Sequence, residues 1–343
     1  MIDLRSDSSS TPTKDMRKAM AEAEVGNDAF REDPTVNELE RLAASLLGKE
    51  AALFVSSGTM GNILGVLATT SPGDAVLAGR QSHLIRFEAG APARLGGVAL
   101  LPFDDESGRL SINQLERFLN LPMSLRTRML SIENTHNSSG GLVLSLEEMA
   151  QYQAFGRKYD LHLHLDGARL FNAATAIGVP AREIVKFADS VTFCLSKCLS
   201  APIGSILVGK SDFINRAREL RFQLGGQMRQ AGIIAAAGLV ALKSMIPQIE
   251  VDHDHARILA QGIAGIVGIG ISPELVQSNI VLFDVSELVS NAQIFEDRLE
   301  ARGVFASVFS PHLIRFITYR DIDRDRINTV LEVTRDVARE LQS

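Results

Sequence analysis

The chain has 343 residues, of which 45% are hydrophobic and 22% charged, an ordinary composition for a globular enzyme. Its net charge of −6, without any basic run, argues against a nucleic-acid or anionic-membrane partner. The first residues carry no apolar signal core, and no apolar stretch reaches membrane length. The two cysteines, Cys194 and Cys198, lack nearby histidines, which excludes a zinc site and favours a reducing cytoplasm.

The first half of the chain alternates predicted helices and strands. Helices are predicted over 13–23, 36–47, 111–119 and 145–158, and strands over 51–55, 74–78, 98–102 and 128–132. Thr35 is the expected N-cap of the helix at 36–47, with Glu38 completing a capping box. The turn that holds Gly58 and Thr59 follows a strand and opens a helix ending near residue 68, so its free N–H groups suit a phosphate, although such turns are more often simple N-caps.

Two strands in the middle of the chain carry the strongest chemical signal. Residues 161–165 alternate with period two and place Asp166 at a strand end, while the buried strand 190–195 runs into Lys197. A helix over 181–188 makes this a βαβ unit, so both side chains emerge at the carboxyl edge of one sheet, where ligands bind. A lysine there can hold the aldehyde of pyridoxal phosphate, and a carboxylate can keep the ring nitrogen protonated. A solvent-exposed lysine and a salt bridge between loops are the structural alternatives.

Other polar residues are predicted near the same edge. His83 lies just beyond the strand at 74–78, where an imidazole could stack on a pyridine ring and exchange protons, although a solvent-facing loop histidine is equally compatible. The strand at 128–132 delivers residues 133–137 to this edge. The sequence therefore predicts a site built from several strand ends.

The second half ends in a compact α+β pattern. Helices are predicted over 211–223, 230–245, 253–265, 291–302 and 323–341, and strands over 206–208, 279–285, 304–309 and 313–319. The helix at 230–245 is apolar on nearly all faces, which indicates a core or a subunit interface; we favour an interface with Arg229 at its start. Arg315 lies between apolar residues on the last strand and is a candidate for binding a substrate carboxylate, with an ion pair to Asp321 or Asp323 as the alternative.

Several motifs resemble the low-specificity threonine aldolases, a family of fold-type I pyridoxal-phosphate enzymes. They are Asp-Leu-Arg-Ser-Asp at 3–7, Arg-Glu-Asp-Pro-Thr at 31–35, Ser-Gly-Thr-Met-Gly-Asn at 57–62, Glu-Asn-Thr-His-Asn at 133–137, His-Leu-Asp-Gly-Ala-Arg-Leu-Phe-Asn-Ala at 164–173 and Gly-Gly-Gln-Met-Arg-Gln-Ala-Gly at 225–232. The resemblance implies an α/β fold: a large domain over 1–249, with a mostly parallel sheet between helices and an N-terminal arm over 1–25, and a small α+β domain over 250–343.

The resemblance also implies roles for individual residues. Lys197 would hold the cofactor as a Schiff base, Asp166 would bind the ring nitrogen, and His83 would stack on the ring. Gly58 and Thr59 would bind the phosphate, which Arg229 would reach from a neighbouring subunit of a homotetramer built from dimers. The remaining expected contacts are with the substrate carboxylate, from Ser6, Arg169 and Arg315, and Arg169 could instead contact the ring hydroxyl.

Three positions depart from the family pattern. Phe30-Arg31 replaces Tyr-Gly, which is expected to change the wall of the site and add a cation. Cys198 and Ser200 replace two glycines beside Lys197, so the loop is expected to adopt a conformation that side chains tolerate. Residues 122–125 lack the histidine that touches the β-hydroxyl in many members, which together with Phe30-Arg31 leaves room for a bulkier aldehyde.

The predicted activity is cleavage of a β-hydroxy-α-amino acid, such as threonine, allo-threonine or an aryl-serine, to glycine and an aldehyde. Lys197, His83 and Asp166 are the predicted catalytic residues, with His83 as the candidate base for the β-hydroxyl. An amino-acid racemase or transaminase on the same scaffold is the alternative, and a catalytically silent homologue is a third. A nicotinamide enzyme is disfavoured because no Gly-x-Gly-x-x-Gly follows a strand.

Overall fold

The computed structural model describes residues 1–105, 107–122 and 124–342, and elements are numbered along the chain. The strands are β1 (Ile2–Asp3), β2 (Ala51–Val55), β3 (Asp74–Gly79), β4 (Ala99–Phe103), β5 (Arg126–Glu133), β6 (His162–Asp166), β7 (Ser190–Cys194), β8 (Ser205–Gly209), β9 (Ile280–Asp284), β10 (Val304–Phe305), β11 (Ser307–Val308) and β12 (Leu313–Ile317). The helices are α1 (Lys14–Ala21), α2 (Pro34–Leu47), α3 (Gly58–Thr69), α4 (His83–Arg86), α5 (Ala91–Gly96), α6 (Ile112–Leu119), α7 (Leu146–Lys158), α8 (Leu170–Ala176), α9 (Ala181–Val185), α10 (Ser211–Gln223), α11 (Gly232–Val240), α12 (Gln248–Ala264), α13 (Ala292–Glu300) and α14 (Arg324–Gln342).

A seven-stranded sheet with the order β2-β8-β7-β6-β5-β3-β4 forms the centre of the molecule. Strands β3 to β7 are parallel, as the crossover helices between them require, and β8 is antiparallel to both of its neighbours. The apolar strand runs are buried beneath helices on both faces, which is typical of an α/β fold. The α/β prediction is confirmed, and so is the parallel pairing of the strands that carry Asp166 and Lys197.

A second, smaller core surrounds the antiparallel sheet β11-β12-β9 and helices α12 to α14. Strand β1 pairs in parallel with β10, and Ile2 and Leu4 are buried in this second core. The N-terminal arm therefore begins beside the C-terminal unit. The domain boundary after residue 249 stays a prediction, and helix α12 runs across that position.

Two sequence-based expectations about local structure are wrong. Asp33, not Thr35, caps α2, because Pro34 fits the first helical turn and the Asp33 carboxylate accepts the Val36 N–H at 3.0 Å. The strand predicted over 304–309 is broken into β10 and β11, which pair with different partners. Helix α11 packs against α1 and α2 within the same chain and leaves Ile233 48% exposed; the subunit interface predicted for it stays a prediction.

Among the described residues, no single helix is both long enough and apolar enough to cross a membrane. Residues Gly232–Met245 and Gln248–Ala264 meet that test only as a pair, and the two segments are bent by 70°.

Candidate active site

Asp166 lies at the carboxyl end of β6 and is almost completely buried. Its Oδ2 accepts a hydrogen bond of 2.7 Å from the Asn62 amide on α3, and its Oδ1 accepts one of 3.0 Å from the Ala168 backbone N–H. Glu133 ends the adjacent strand β5 at the paired position. The predicted placement of Asp166 at the end of a buried strand is therefore found in the structure.

His83 begins the short helix α4 after β3, next to Asp166. Its backbone N–H donates to Glu133 Oε2 at 2.8 Å, and its Nδ1 lies 3.0 Å from Glu88 Oε1. Burial alone would lower the pKa of His83, but the hydrogen bond to Glu88 and the charge of Asp166 raise it above its usual value. Potential ligand atoms of His83, Glu88 and Asp166 all lie within 4.8 Å of one another, but Glu88 Oε1 and Asp166 Oδ2 are already engaged by hydrogen bonds.

Lys197 lies in the turn between β7 and β8 and is half-buried. Burial has the largest effect on two neighbouring groups: it raises the pKa of Asp7 and lowers that of His83. The positive charge of Lys197 is near enough to lower the pKa of both. Within the described parts of the chain, no hydrogen bond or ion pair engages its ammonium group. An amine without a fixed partner at this edge is suited to react with a bound aldehyde.

The N-terminus of α3 provides a polar cradle beside β7 and β8. Ser57 Oγ caps the Met60 N–H at 3.1 Å, which leaves the N–H groups of Gly58 and Thr59 without an intrahelical acceptor. A Cβ at Gly58 would lie 2.9 Å from Cys194 Sγ, so only glycine fits this position. The buried hydroxyl of Ser205, which has no partner among the described residues, lies 3.7 Å from that same point. These groups fit a phosphate.

Two arginines lie side by side at the site. The buried guanidinium of Arg169 forms a bidentate ion pair with Asp7 at 2.7 and 2.8 Å. Asn137 Oδ1 accepts hydrogen bonds from Arg169 Nη1 at 3.2 Å and from Arg315 Nη1 at 3.1 Å. Burial and the neighbouring charge of Arg169 lower the pKa of Arg315 to about 10. The sequence-based alternative of an Arg315 ion pair with Asp321 or Asp323 is not found within the described residues; Asp321 pairs with Arg320.

Ser6 and Arg229 are not joined to this cluster by a side-chain contact. The Ser6 hydroxyl interacts with Ser8, whose N–H and Oγ lie 3.2 and 2.8 Å away. The Arg229 side chain is exposed, and among the described residues only its backbone oxygen is engaged, by the N–H groups of Asp28 and Ala231. The structure of one chain therefore brings together Lys197, His83, Asp166 and their neighbours, and leaves Arg229 on the surface.

The departures from the family pattern have two different outcomes. Phe30 is 70% exposed and Arg31 is also exposed in the single chain, and the expected change in the wall of the site stays a prediction. Ser200 has a φ of 59°, the left-handed conformation that glycine favours, so the loop has not adopted a backbone that side chains tolerate freely. Its hydroxyl is buried without a partner. The expectation about the missing histidine at 122–125 falls partly on Met123, which lies outside the described residues.

Four residues of the site were given no role by the sequence reasoning. Asp7, Asn62 and Asn137 lie within the quoted motifs, and Asn62 follows Gly58 by about one helical turn, which places both on one face of α3. The role of Glu88 could not be predicted, because this residue follows a helix too short to show an apolar periodicity. Together the lysine, the strand-end carboxylate and the phosphate cradle provide the groups that pyridoxal phosphate requires.

Comparison with known proteins places this architecture in a family. Residues 3–286 match the family model described as beta-eliminating lyase. The chain is 40% identical to the low specificity L-threonine aldolase of Escherichia coli K12, over 96% of this chain and 97% of that protein, and 43% identical to a probable low-specificity L-threonine aldolase 2 of Arabidopsis thaliana, over 96% and 95%.

Solved structures show the same fold at lower identity. A threonine aldolase of Leishmania major aligns with a TM-score of 0.82 at 20% identity, over 98% of this chain and all of that one. A serine palmitoyltransferase of Sphingomonas wittichii aligns with a TM-score of 0.79 at 17% identity, over 99% and 88%. The chain belongs to the low-specificity threonine aldolases of the beta-eliminating lyase family.

Proposed function

We propose that this chain is a pyridoxal-phosphate-dependent aldolase that cleaves β-hydroxy-α-amino acids of the threonine type to glycine and an aldehyde. The observation that carries the proposal is the convergence of Asp166, His83 and Lys197 at the carboxyl edge of the large sheet, beside the free N–H groups of α3. The activity named for the relatives above supports it. No contact in the described residues favours a racemase or a transaminase.

Lys197, Asp166 and the turn at Gly58 and Thr59 would hold the cofactor. Lys197 binds its aldehyde, Asp166 its ring nitrogen, and the N–H groups of the turn its phosphate, while His83 covers the ring. When bound, the cofactor supplies an electron-withdrawing ring that accepts the electrons of the broken Cα–Cβ bond. Asn62 and Ala168 already hold Asp166 in place through hydrogen bonds to its two oxygens.

Arg315 is the principal group that binds the substrate carboxylate, because its guanidinium has no carboxylate partner in the described chain. Arg169 lies on the other side of Asn137 and completes a positive wall. Ser6 would add a hydroxyl from the N-terminal arm. Holding the carboxylate would fix the rotation of the substrate about its Cα and so decide which bond at Cα is broken.

His83 is the base for the β-hydroxyl proton, either directly or through a water molecule. Its ring is half-buried at the site. Its pKa is raised above the usual value, so the imidazole can gain and lose a proton near neutral pH. Glu133 fixes the start of α4 by accepting the His83 backbone N–H.

The active unit is a homotetramer built from dimers, in which Arg229 reaches the phosphate of a neighbouring subunit. The exposed Arg229 side chain, unused within its own chain, supports this arrangement. A cytoplasmic location is supported by Cys194 and Cys198, which are both buried free thiols, as a reducing compartment permits.

Replacing Lys197 with alanine tests the function. The variant is expected to lose the visible absorbance of the lysine-bound cofactor and the release of glycine and aldehyde, whereas replacement of the exposed Lys210 leaves both intact. Retention of the band and of full turnover in the Lys197 variant would contradict the proposal. A parent protein that forms a keto acid, or racemises its substrate without releasing aldehyde, would instead support the alternative chemistry.

A further inference from the structure

A buried glutamate that the proposed chemistry does not use lies behind His83. The Glu88 side chain has no exposed surface. Its Oε1 lies 2.8 Å from the Asn62 amide nitrogen and 3.0 Å from His83 Nδ1, and its Oε2 has no partner in the part of the chain that the structure describes. Glu88 is therefore hydrogen-bonded to His83 through the same oxygen that accepts from Asn62.

The orientation of Asn62 follows from its surroundings. Its Nδ2 lies between Glu88 Oε1 and Asp166 Oδ2, both acceptors, at 2.8 and 2.7 Å. An amide that presented its oxygen to two carboxylates would be repelled by both, so the NH₂ group must face them. Asn62 Oδ1 then points the other way, toward His164 Nε2 at 3.1 Å.

The orientation of Asn62 sets the direction of a buried series of hydrogen bonds behind it. His164 and Ser190 are fully buried, and burial lowers the pKa of His164 and of His162 to about 4, so both imidazoles are neutral at physiological pH. His164 Nε2 donates to Asn62, which leaves its Nδ1 to accept the Ser190 hydroxyl proton at 2.8 Å. Ser190 Oγ in turn accepts from His162 Nε2 at 2.7 Å. The donor and the acceptor of each hydrogen bond in this series are therefore defined.

This direction fixes the protonation of His83. Burial raises the pKa of Glu88. Whether the carboxyl group is ionised or carries its proton on Oε2, its Oε1 can only accept, and the hydrogen bond at His83 Nδ1 then requires the imidazole to donate. Building on the proposed function, we propose that Glu88 is a positioning residue, which holds the proton of His83 on Nδ1 and leaves the Nε2 lone pair to accept the proton of the substrate hydroxyl.

The charged groups around His83 set the expected pH response. Glu88 and Asp166 raise its pKa, Lys197 lowers it, and Glu133 contacts its backbone N–H. A histidine that acts as a base must be neutral, so kcat/KM rises with pH through its pKa. Replacing Glu88 by a neutral residue weakens an interaction that raises this pKa, and the acid limb of the profile is therefore expected to move to lower pH.

Two variants of Glu88 separate its charge from its hydrogen bond. Glu88→Gln keeps an acceptor oxygen next to Asn62 and His83, so the acid limb of kcat/KM is expected to fall by about one pH unit with little change in kcat. Glu88→Leu removes the acceptor, and kcat is expected to fall about a hundred-fold as the imidazole loses its orientation. Glu40→Gln, which removes a buried carboxylate that contacts Phe54 and Arg218, serves as the control. Unchanged kcat and an unchanged acid limb in both Glu88 variants would overturn the proposal.

Nitrogen-15 NMR of the histidine rings in the cofactor-free protein tests the same point without turnover. The parent is expected to show His83 protonated on Nδ1 at alkaline pH, and Glu88→Leu a mixture of tautomers. A parent His83 protonated on Nε2 would overturn the role of Glu88 even if every variant folded poorly. A parent with the Nδ1 proton that cleaves no β-hydroxy amino acid would contradict the proposed function and leave the role of Glu88 standing.

Discussion

The regions around Arg169 and Arg315 place the same functional group in opposite electrostatic surroundings. Arg169, beside the large sheet, is buried and bidentately paired with Asp7. Arg315, on the small sheet, is half-buried and, among the described residues, donates only to the Asn137 amide oxygen and, at 3.4 Å, to the backbone oxygen of Arg5. Arg169 contacts a carboxylate directly, whereas Arg315 contacts none within the described residues.

This difference indicates a structural role for Arg169 and a role in substrate binding for Arg315. A buried ion pair is compensated internally, and removing one partner leaves an uncompensated charge. A desolvated guanidinium without a carboxylate is costly to the folded chain, and a bound substrate carboxylate would remove that cost. We therefore expect Arg169 and Asp7 to hold the fold around the site, and Arg315 to contribute most of the affinity for the substrate.

The largest effect is expected from Arg315→Leu. Loss of a charge-assisted, bidentate contact should lower kcat/KM for threonine about a thousand-fold, with the free energy of unfolding kept within about 1 kcal/mol. Steady-state kinetics and urea unfolding measure the two quantities. Arg302→Leu, which removes a surface cation paired with Glu340, is the control and should change neither. Full activity of the Arg315 variant would contradict the role of Arg315 in substrate binding.

Asp7→Asn should act on stability. Arg169 would remain buried without its counter-charge, which is expected to lower the free energy of unfolding by about 3 kcal/mol and to lower the urea midpoint. Asp3→Asn is a matched control, because Asp3 forms a similar two-bond contact with Arg5 at the surface; it should cost no more than about 1 kcal/mol. Equal losses in the two variants would show that burial of the Arg169 pair is unimportant.

Asn137→Asp would convert Arg315 into a paired cation. The new carboxylate would lie between the two guanidinium groups and compete with the substrate carboxylate, so KM is expected to rise about ten-fold. The melting temperature should be unchanged or higher. A KM equal to that of the parent would indicate that Arg315 does not bind the substrate.

The smallest expected effect concerns the backbone beside Lys197. Ser200→Gly relieves a left-handed φ and removes a buried hydroxyl that has no partner, and the free energy of unfolding should rise by about 1 kcal/mol. Ser205→Gly, at another buried serine with an unpartnered hydroxyl but in a regular strand, should instead lower it. If both variants changed stability in the same direction, strain at Ser200 would not be the cause.

Sequence patterns predicted the parts of the site that depend on strand ends. Period-two alternation placed Asp166, and the parallel crossover placed Lys197 at the same edge, because both follow from local rules. The pairing of Asp7 with Arg169 could not be predicted, since it joins residues 162 positions apart and has no periodicity. Glu88 escaped notice for the same reason, because its role depends on Asn62 and His83 meeting in three dimensions.

The wrong expectations have physical causes as well. Substitution of glycine by Ser200 suggested a relaxed backbone, but the packing around the turn retains the left-handed conformation and the chain tolerates its cost. The predicted cap at Thr35 was wrong because Pro34 is itself suited to the first turn, which moves the cap to Asp33.

The pairing of β1 with β10 has a consequence for biosynthesis. Residues 2–7 leave the ribosome long before their partners at Val304 and Ile317, yet Ile2 pairs with Val304 and the Ile317 N–H donates to the Leu4 oxygen at 2.8 Å. Asp7, which follows directly, therefore reaches Arg169 in its final setting only after most of the chain has emerged. A nascent chain stalled before residue 304 would hold the lysine and aspartate strands but an unfinished guanidinium wall, so translation must be nearly complete before the enzyme can turn over.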